Sequence, residues 1–154
     1  LRRARPDEGK SLLVAGGAGG VGSWAIGFAK VFGITRLVTT AGSDASRRYI
    51  KDALGIADAR IVDYRGRMRA ELAAAAIAAN DGALFDITLD CVGGAMTHLC
   101  CDTVEFEGDV VSVVNGPKDQ SHGAAEADEA MAWAETVDGW STADPKPIFI
   151  HRPD

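Results

Sequence analysis

Residues 12–22 run Leu12-Leu13-Val14-Ala15-Gly16-Gly17-Ala18-Gly19-Gly20-Val21-Gly22. An apolar run enters a glycine turn, and the turn opens an amphipathic stretch free of proline. Gly17, Gly19 and Gly22 form a GxGxxG string in the strand–turn–helix setting that gives such a string meaning. The three glycines serve different mechanical ends. The first permits a sharp turn, the second lets backbone approach a pyrophosphate closely, and the third lets helix pack on strand. The helix start then offers unpaired N–H groups and partial positive charge to phosphate. The feature constrains the chain to an α/β fold and points to dinucleotide binding.

The rest of the chain fits that frame. Apolar runs alternate with helix-like stretches, the pattern of a parallel sheet with crossover helices. Strands are expected at Ser11–Gly16, Arg36–Ala41, Arg60–Asp63, Leu84–Cys91 and Asp109–Val114. Helices are expected at Val21–Phe32, Asp44–Leu54, Arg67–Ala79 and Ala95–Val104. On the first helix Trp24, Ala25, Phe28 and Val31 or Phe32 share one face, with Trp24 read as core or interface. Ser43 reads as an N-cap, and Gly33 and Gly55 as helix stops. Crossovers of this kind are right-handed. The expected architecture is therefore a doubly wound parallel sheet in three layers, a single domain with ligands at the carboxyl edge of the strands. After Pro117 the pattern changes to a loop, a helix candidate at Ala124–Val137, a turn-rich stretch, and a short strand candidate at Pro147–Ile150.

Bulk properties exclude several classes. The 154 residues suffice for one domain with a core. A net charge of −6 argues against a nucleic-acid surface. The cluster Arg2, Arg3, Arg5 reads as a solvated terminus. No stretch has the ~18 apolar residues of a membrane span, and no signal sequence opens the chain. Cys91, Cys100 and Cys101 form neither a disulfide framework nor a CxxC metal spacing, so a reducing cytoplasm is the expectation. His98, His122 and His151 share no metal spacing. A lone Cys91 without a base is no nucleophile. No catalytic or metal residue is assigned. Residues 1–8 read as a linker, and residues 9–154 as the dinucleotide-binding domain, cut short at its C-terminal end.

Six segments in register now carry a resemblance: Gly16–Gly22, then Thr40-Ala41-Gly42-Ser43, Leu54-Gly55, Val62-Asp63-Tyr64, Asp90-Cys91-Val92-Gly93-Gly94, and Gly108-Asp109-Val110-Val111-Ser112. Over residues 9–116 the chain resembles the Rossmann-type cofactor domain of medium-chain dehydrogenases/reductases, in the style of quinone oxidoreductases and zinc-type alcohol dehydrogenases. The resemblance implies a GroES-like N-terminal domain, absent here, that carries any zinc ligands. It implies hydride transfer between a nicotinamide cofactor and a carbonyl, quinone, activated alkene or alcohol. It also implies a homodimer contact through strands after the fifth, where Pro147–Ile150 is the candidate edge. This chain alone is expected to be inactive.

Cofactor choice rests on the end of strand two. NAD-binding domains place an acid there, about 20 residues past the glycines. Thr40–Ser43 holds none, and Ser43, Ser46, Arg47 and Arg48 follow, a set suited to a 2′-phosphate. NADP is therefore the first choice and NAD the second. Asp44, just past the acid position, reads as a first-turn helix charge. By resemblance Tyr64 lies near the adenosine phosphate, Cys91, Val92 and Gly93 line the nicotinamide ribose, and Asn115 and Gly116 end strand five near the nicotinamide. The expected cofactor contacts are thus Gly17, Ala18, Gly19, Gly20, Val21, Gly22, Ser43, Ser46, Arg47, Tyr64, Cys91, Val92 and Gly93.

Two other readings compete. A one-domain short-chain reductase would need Tyr-x-x-x-Lys, but Tyr49 is followed four later by Ala53 and Tyr64 by Met68. A non-catalytic nucleotide-binding or sensor module on the same fold fits the same residues. A methyltransferase also uses a glycine loop, but it too wants an acid after strand two.

Overall fold

The computed structural model describes residues 6–114 and 148–151. The strands are β1 (Ser11–Ala15), β2 (Arg36–Ala41), β3 (Ile61–Asp63), β4 (Phe85–Asp90), β5 (Val104–Ser112) and β6 (Ile148–His151). The helices are α1 (Gly20–Val31), α2 (Asp44–Asp52), α3 (Arg69–Ala79) and α4 (Ala95–Thr103). A 3-10 turn, Asp58–Arg60, leads into β3. The sheet order is β3-β2-β1-β4-β5-β6. All neighbours among β1–β5 are parallel, and β6 runs antiparallel to β5. The expected doubly wound parallel sheet is present in β1–β5, and β6 adds an antiparallel strand that pairs Ser112 with Ile148 and Asp109 with His151.

β1 is central and fully buried along its length. Its alternate side chains face two cores, as strand pleating requires. Leu12 and Val14 meet α1 and α2 through Ala25, Ile26, Ala29 and Ile50. Leu13 and Ala15 meet α3 and α4 through Leu72, Ala76, Met96 and Leu99. These two cores on one sheet make the three layers.

Of the apolar stripe expected on the first helix, only Ala25 is buried. On α1 the buried residues are Gly22, Ala25, Ile26 and Ala29. Trp24, Phe28 and Val31 are 71%, 51% and 80% exposed, and Trp24 stacks on Phe28 with ring centroids 6.0 Å apart. Both stripes have helical spacing, so periodicity alone does not choose between them. The glycine turn chooses: it brings the start of α1 so close to the sheet that only small residues and Ile26 fit beneath it. β5 also starts earlier than the expected Asp109. Val104 pairs with Phe85, and Asp109 pairs with Ile87, so residues 105–108 bulge outward opposite one residue of β4. The polar, exposed Glu105 and Glu107 hide this extension in the sequence. Asn115, Gly116, the 124–137 helix candidate, His122, Trp133, Trp140 and the basic terminus lie outside the described residues.

Candidate functional site

The strand order reverses between β1 and β4, and both end at one crevice. In doubly wound sheets that crevice, outside the carboxyl ends, takes the ligand. The turn after β1 begins at Gly16, whose φ of +83° suits glycine. Its N–H donates to Thr40 Oγ1 at 2.9 Å, pinning the turn to β2. Gly19 N–H closes the turn onto Gly16 O at 3.0 Å. A Cβ at Gly17 would lie 2.1 Å from Thr39 Oγ1, and one at Gly22 would lie 2.2 Å from Gly16 O. Turn, helix and strand are therefore pressed together at those two positions. Gly20 differs: a Cβ there meets nothing within 4 Å.

The first helical hydrogen bond of α1 is Ser23 N–H to Gly19 O. The amides of Gly20, Val21 and Gly22 thus have no acceptor within the helix, as at every helix start. No acidic residue sits in this first turn. The cradle accordingly presents donors and positive dipole charge without a competing carboxylate.

The second wall comes from the turn after β4. Asp90 is fully buried and organises it. Its Oδ1 accepts from Val92 N at 2.9 Å and Gly93 N at 2.8 Å, while its Oδ2 accepts from Thr97 Oγ1 at 2.6 Å and Ser112 Oγ at 3.4 Å. Val92 then reaches across to the first turn, where a Cβ at Gly16 would meet Val92 Cγ2 at 2.6 Å. The Cys91 thiol is pushed up to about 12 by burial and secondarily by the Asp90 charge. Such a thiol stays protonated and is inert as a nucleophile.

The third part lies at the end of β2. Ser43 caps α2 in a reciprocal capping box, accepting from Ser46 N at 3.1 Å while Ser46 Oγ accepts from Ser43 N at 3.0 Å. Tyr64 covers this end: a Cβ at Gly42 would lie 2.0 Å from its hydroxyl. Arg47 departs from expectation. Its Nε and Nη2 clasp the Asp58 carboxylate at 2.9 and 2.8 Å, Nη2 also donates to Asp58 O, and Nη1 donates to Ile61 O. The hydrogen bond it donates to Asp58 holds the guanidinium above its ordinary pKa, against the cost of partial burial. Four of its five N–H donors are used in fastening α2 to β3, so it is not a free phosphate ligand. The sequence reading overlooked Arg65, which stands beside Tyr64 and bonds both Asp63 and Asp44. Only its place one position past the tyrosine shows in the sequence; its pairing with Asp44 comes from β2 and β3 ending side by side. The remaining expected residues, Ala18, Gly19, Gly20, Val21, Val92 and Gly93, flank the same crevice through these two turns.

Fold and glycine turn together define a doubly wound domain of the nucleotide-binding kind. Residues 20–144 match the family model described as zinc-binding dehydrogenase. The chain belongs to that family, within the medium-chain dehydrogenases/reductases, and carries its C-terminal cofactor domain. It is 29% identical over 125 residues to a probable mitochondrial zinc-binding oxidoreductase of Arthroderma benhamiae, covering 81% of this chain and 35% of that protein. It is 31% identical over 113 residues to a highly reducing polyketide synthase of Emericella nidulans, covering 73% of this chain and 4% of the synthase. An alcohol dehydrogenase superfamily protein from Novosphingobium aromaticivorans shares the fold with a TM-score of 0.61 and 30% identity, over 85% of this chain and 36% of that one. The chain thus spans a minor part of each relative. The family's name implies zinc, but no group of three or more His, Cys, Asp or Glu among the described residues can hold a metal ion. No helix among them is long and apolar enough to cross a membrane.

Proposed function

We propose that this chain holds the nicotinamide dinucleotide, NADP in preference to NAD, for an oxidoreductase whose substrate is bound by another part of a longer protein. The observation that carries this reading is the turn at Gly16–Gly22. Gly17 and Gly22 leave no room for a Cβ between turn, helix and strand, Gly20 faces open space, and the α1 amides are left for an anion. Gly19, Gly20, Val21 and Gly22 would take the pyrophosphate. Cys91, Val92 and Gly93 would border the nicotinamide ribose, with Asp90 fixing the turn that carries them. Ser43, Ser46 and Tyr64 would surround the adenosine ribose. The bound cofactor supplies hydride chemistry; the protein supplies position and field. The short share of each relative that the chain covers supports a GroES-like companion domain holding substrate and any zinc. A dimer contact through β6, at the sheet edge, belongs to the same proposal.

The preference for NADP is supported by Asp44, the first acid to follow β2 in the chain. Its carboxylate is engaged by Arg65 at 2.8 Å, which makes it a poor partner for ribose hydroxyls. The test is a tryptophan-quenching titration with NADPH and NADH in parallel. Tighter NADPH binding is expected. Tighter NADH binding would reverse the cofactor choice, and binding of neither would overturn the assignment for this chain.

A further inference from the structure

Two adjacent threonines lie just before the end of β2, and both are buried. The pleat sends them to opposite faces of the sheet. Thr39 donates its hydroxyl to Val14 O at 2.7 Å and fills the space that Gly17 leaves. Thr40 faces the other core, and its Oγ1 accepts the Gly16 N–H at 2.9 Å. The ladder between β1 and β2 ends at the pair Val14 and Thr39, so this N–H is taken up by a side chain just past the last backbone rung. The hydroxyl proton of Thr40 goes to Met96 Sδ at 4.0 Å, a weak acceptor. Met96 N in turn donates to Gly93 O at 3.1 Å, in the turn after β4. One buried hydroxyl therefore stands between the two turns that wall the crevice.

The other fastenings of the glycine turn are local. Gly19 N–H bonds Gly16 O, and Ser23 Oγ donates to Gly19 O at 2.6 Å and to Gly17 O at 3.4 Å. Ser23 belongs to α1 and moves with the turn. The Thr40 bond bridges 24 residues and fixes the turn to a different strand. Without it the Gly16 N–H loses its acceptor, and a stranded donor is relieved only when the turn moves. Gly16 sits at φ +83°, a region that glycine enters and leaves at little cost. When it leaves, the amides at the start of α1 lose their fixed arrangement. A ligand that needs a partly populated arrangement loses affinity in proportion to the missing fraction. Thr40 is 1% exposed, so it acts from beneath the turn and not by touching the ligand.

We propose that Thr40 is a positioning residue for the dinucleotide: its hydroxyl holds the Gly16–Gly22 turn in the binding arrangement before any ligand arrives. It acts on affinity through preorganisation, since the turn is already ordered in the free chain. The oxygen matters more than the shape of the side chain. Valine fills the same space and offers no acceptor, whereas serine keeps the acceptor and gives up a methyl group. This inference rests on the dinucleotide reading above.

Tryptophan-quenching titration of the 154-residue chain with NADPH and NADH, each beside a denaturant midpoint, tests it. Thr40→Val should weaken the dinucleotide that wild type prefers by about tenfold, the scale of one lost hydrogen bond. Thr40→Ser should stay within about twofold of wild type. Thr88→Val is the comparison. It deletes another buried threonine hydroxyl, one that donates to Cys100 O of α4 at 3.3 Å, and should leave affinity unchanged. The inference falls if Thr40→Val binds as wild type does, if Thr40→Ser loses as much as Thr40→Val, or if Thr88→Val weakens binding equally. Hydrogen exchange gives a second reading that needs no variant to fold. In free wild type the Gly16 amide should exchange at least about tenfold more slowly than the Gly20 amide, and equal rates overturn the inference. In each of these cases wild-type quenching still reports on the dinucleotide reading. Wild type that binds neither NADPH nor NADH removes both.

Discussion

At the scale of single residues the glycine turn makes opposed forecasts for neighbours. Gly22→Ala drives a methyl into the Gly16 carbonyl, a backbone atom with no room to give. It should cost about 1–3 kcal/mol, the range for overpacking a tight site. Gly20→Ala meets open space in the first turn of α1. It should leave stability unchanged or raise it by up to ~1 kcal/mol through helix propensity. Urea denaturation of the pair checks both, and equal effects would refute the packing account. Cys91 makes a forecast about pH. Its thiol is raised from 9.0 to about 12 in the fold. A raised acid contributes stability below its unfolded value that is lost as pH rises from about 9 toward 12. Cys91→Ala should therefore flatten the alkaline limb of a stability–pH curve. Iodoacetamide should modify Cys91 in the folded chain far more slowly than a free thiol at pH 8.

At the scale of elements two carboxylates act as joints. Asp90 receives two backbone and two hydroxyl donors while fully buried. Asp90→Ala should destabilise by about 2 kcal/mol or more, since each stranded buried donor costs ~1–3 kcal/mol. Denaturant midpoints test this, and an unchanged midpoint would refute it. Asp63 is the acid-side joint. The hydrogen bonds from the Arg65 side chain, then its backbone N–H, hold its carboxyl down at about 2. A lowered acid contributes stability above its unfolded value of 3.8, lost as pH falls toward about 2. Arg65→Ala should weaken that acid limb, and the Asp63 carboxyl should titrate closer to 3.8 by NMR. The elements themselves were legible because their cues are local. Ser43 caps α2, β2 spans Arg36–Ala41 as read, and α3 closes at Ala79. The role of Arg47 was not legible, because Asp58 lies eleven residues on, across a turn whose geometry no spacing rule supplies. Arg65 was missed for the same reason: its meaning depends on β2 and β3 ending side by side.

At the scale of the whole molecule the fold order was legible and one surface was not. Alternating strands and helices with a glycine turn leave few topologies, and the order β3-β2-β1-β4-β5 is among them. Which stripe of α1 faces inward depends on how closely the turn seats the helix, a distance absent from any periodicity. The consequence is measurable. Ile26→Ala should cost ~2–5 kcal/mol as a core truncation. Trp24→Gln should cost less than ~1.5 kcal/mol, the value of an exposed ring pair. Comparable losses would show that Trp24 is sheltered by something else. The direction of the last strand has a different bearing. β5 ends at Ser112 and β6 begins opposite it at Ile148, so the chain departs from and rejoins the sheet at the ligand edge. The returning strand gives residues 109–112 of β5 a backbone ladder on both sides, parallel with β4 and antiparallel with β6. β3 has a neighbour on one side only. In hydrogen exchange the amides of that part of β5 should therefore outlast those of β3.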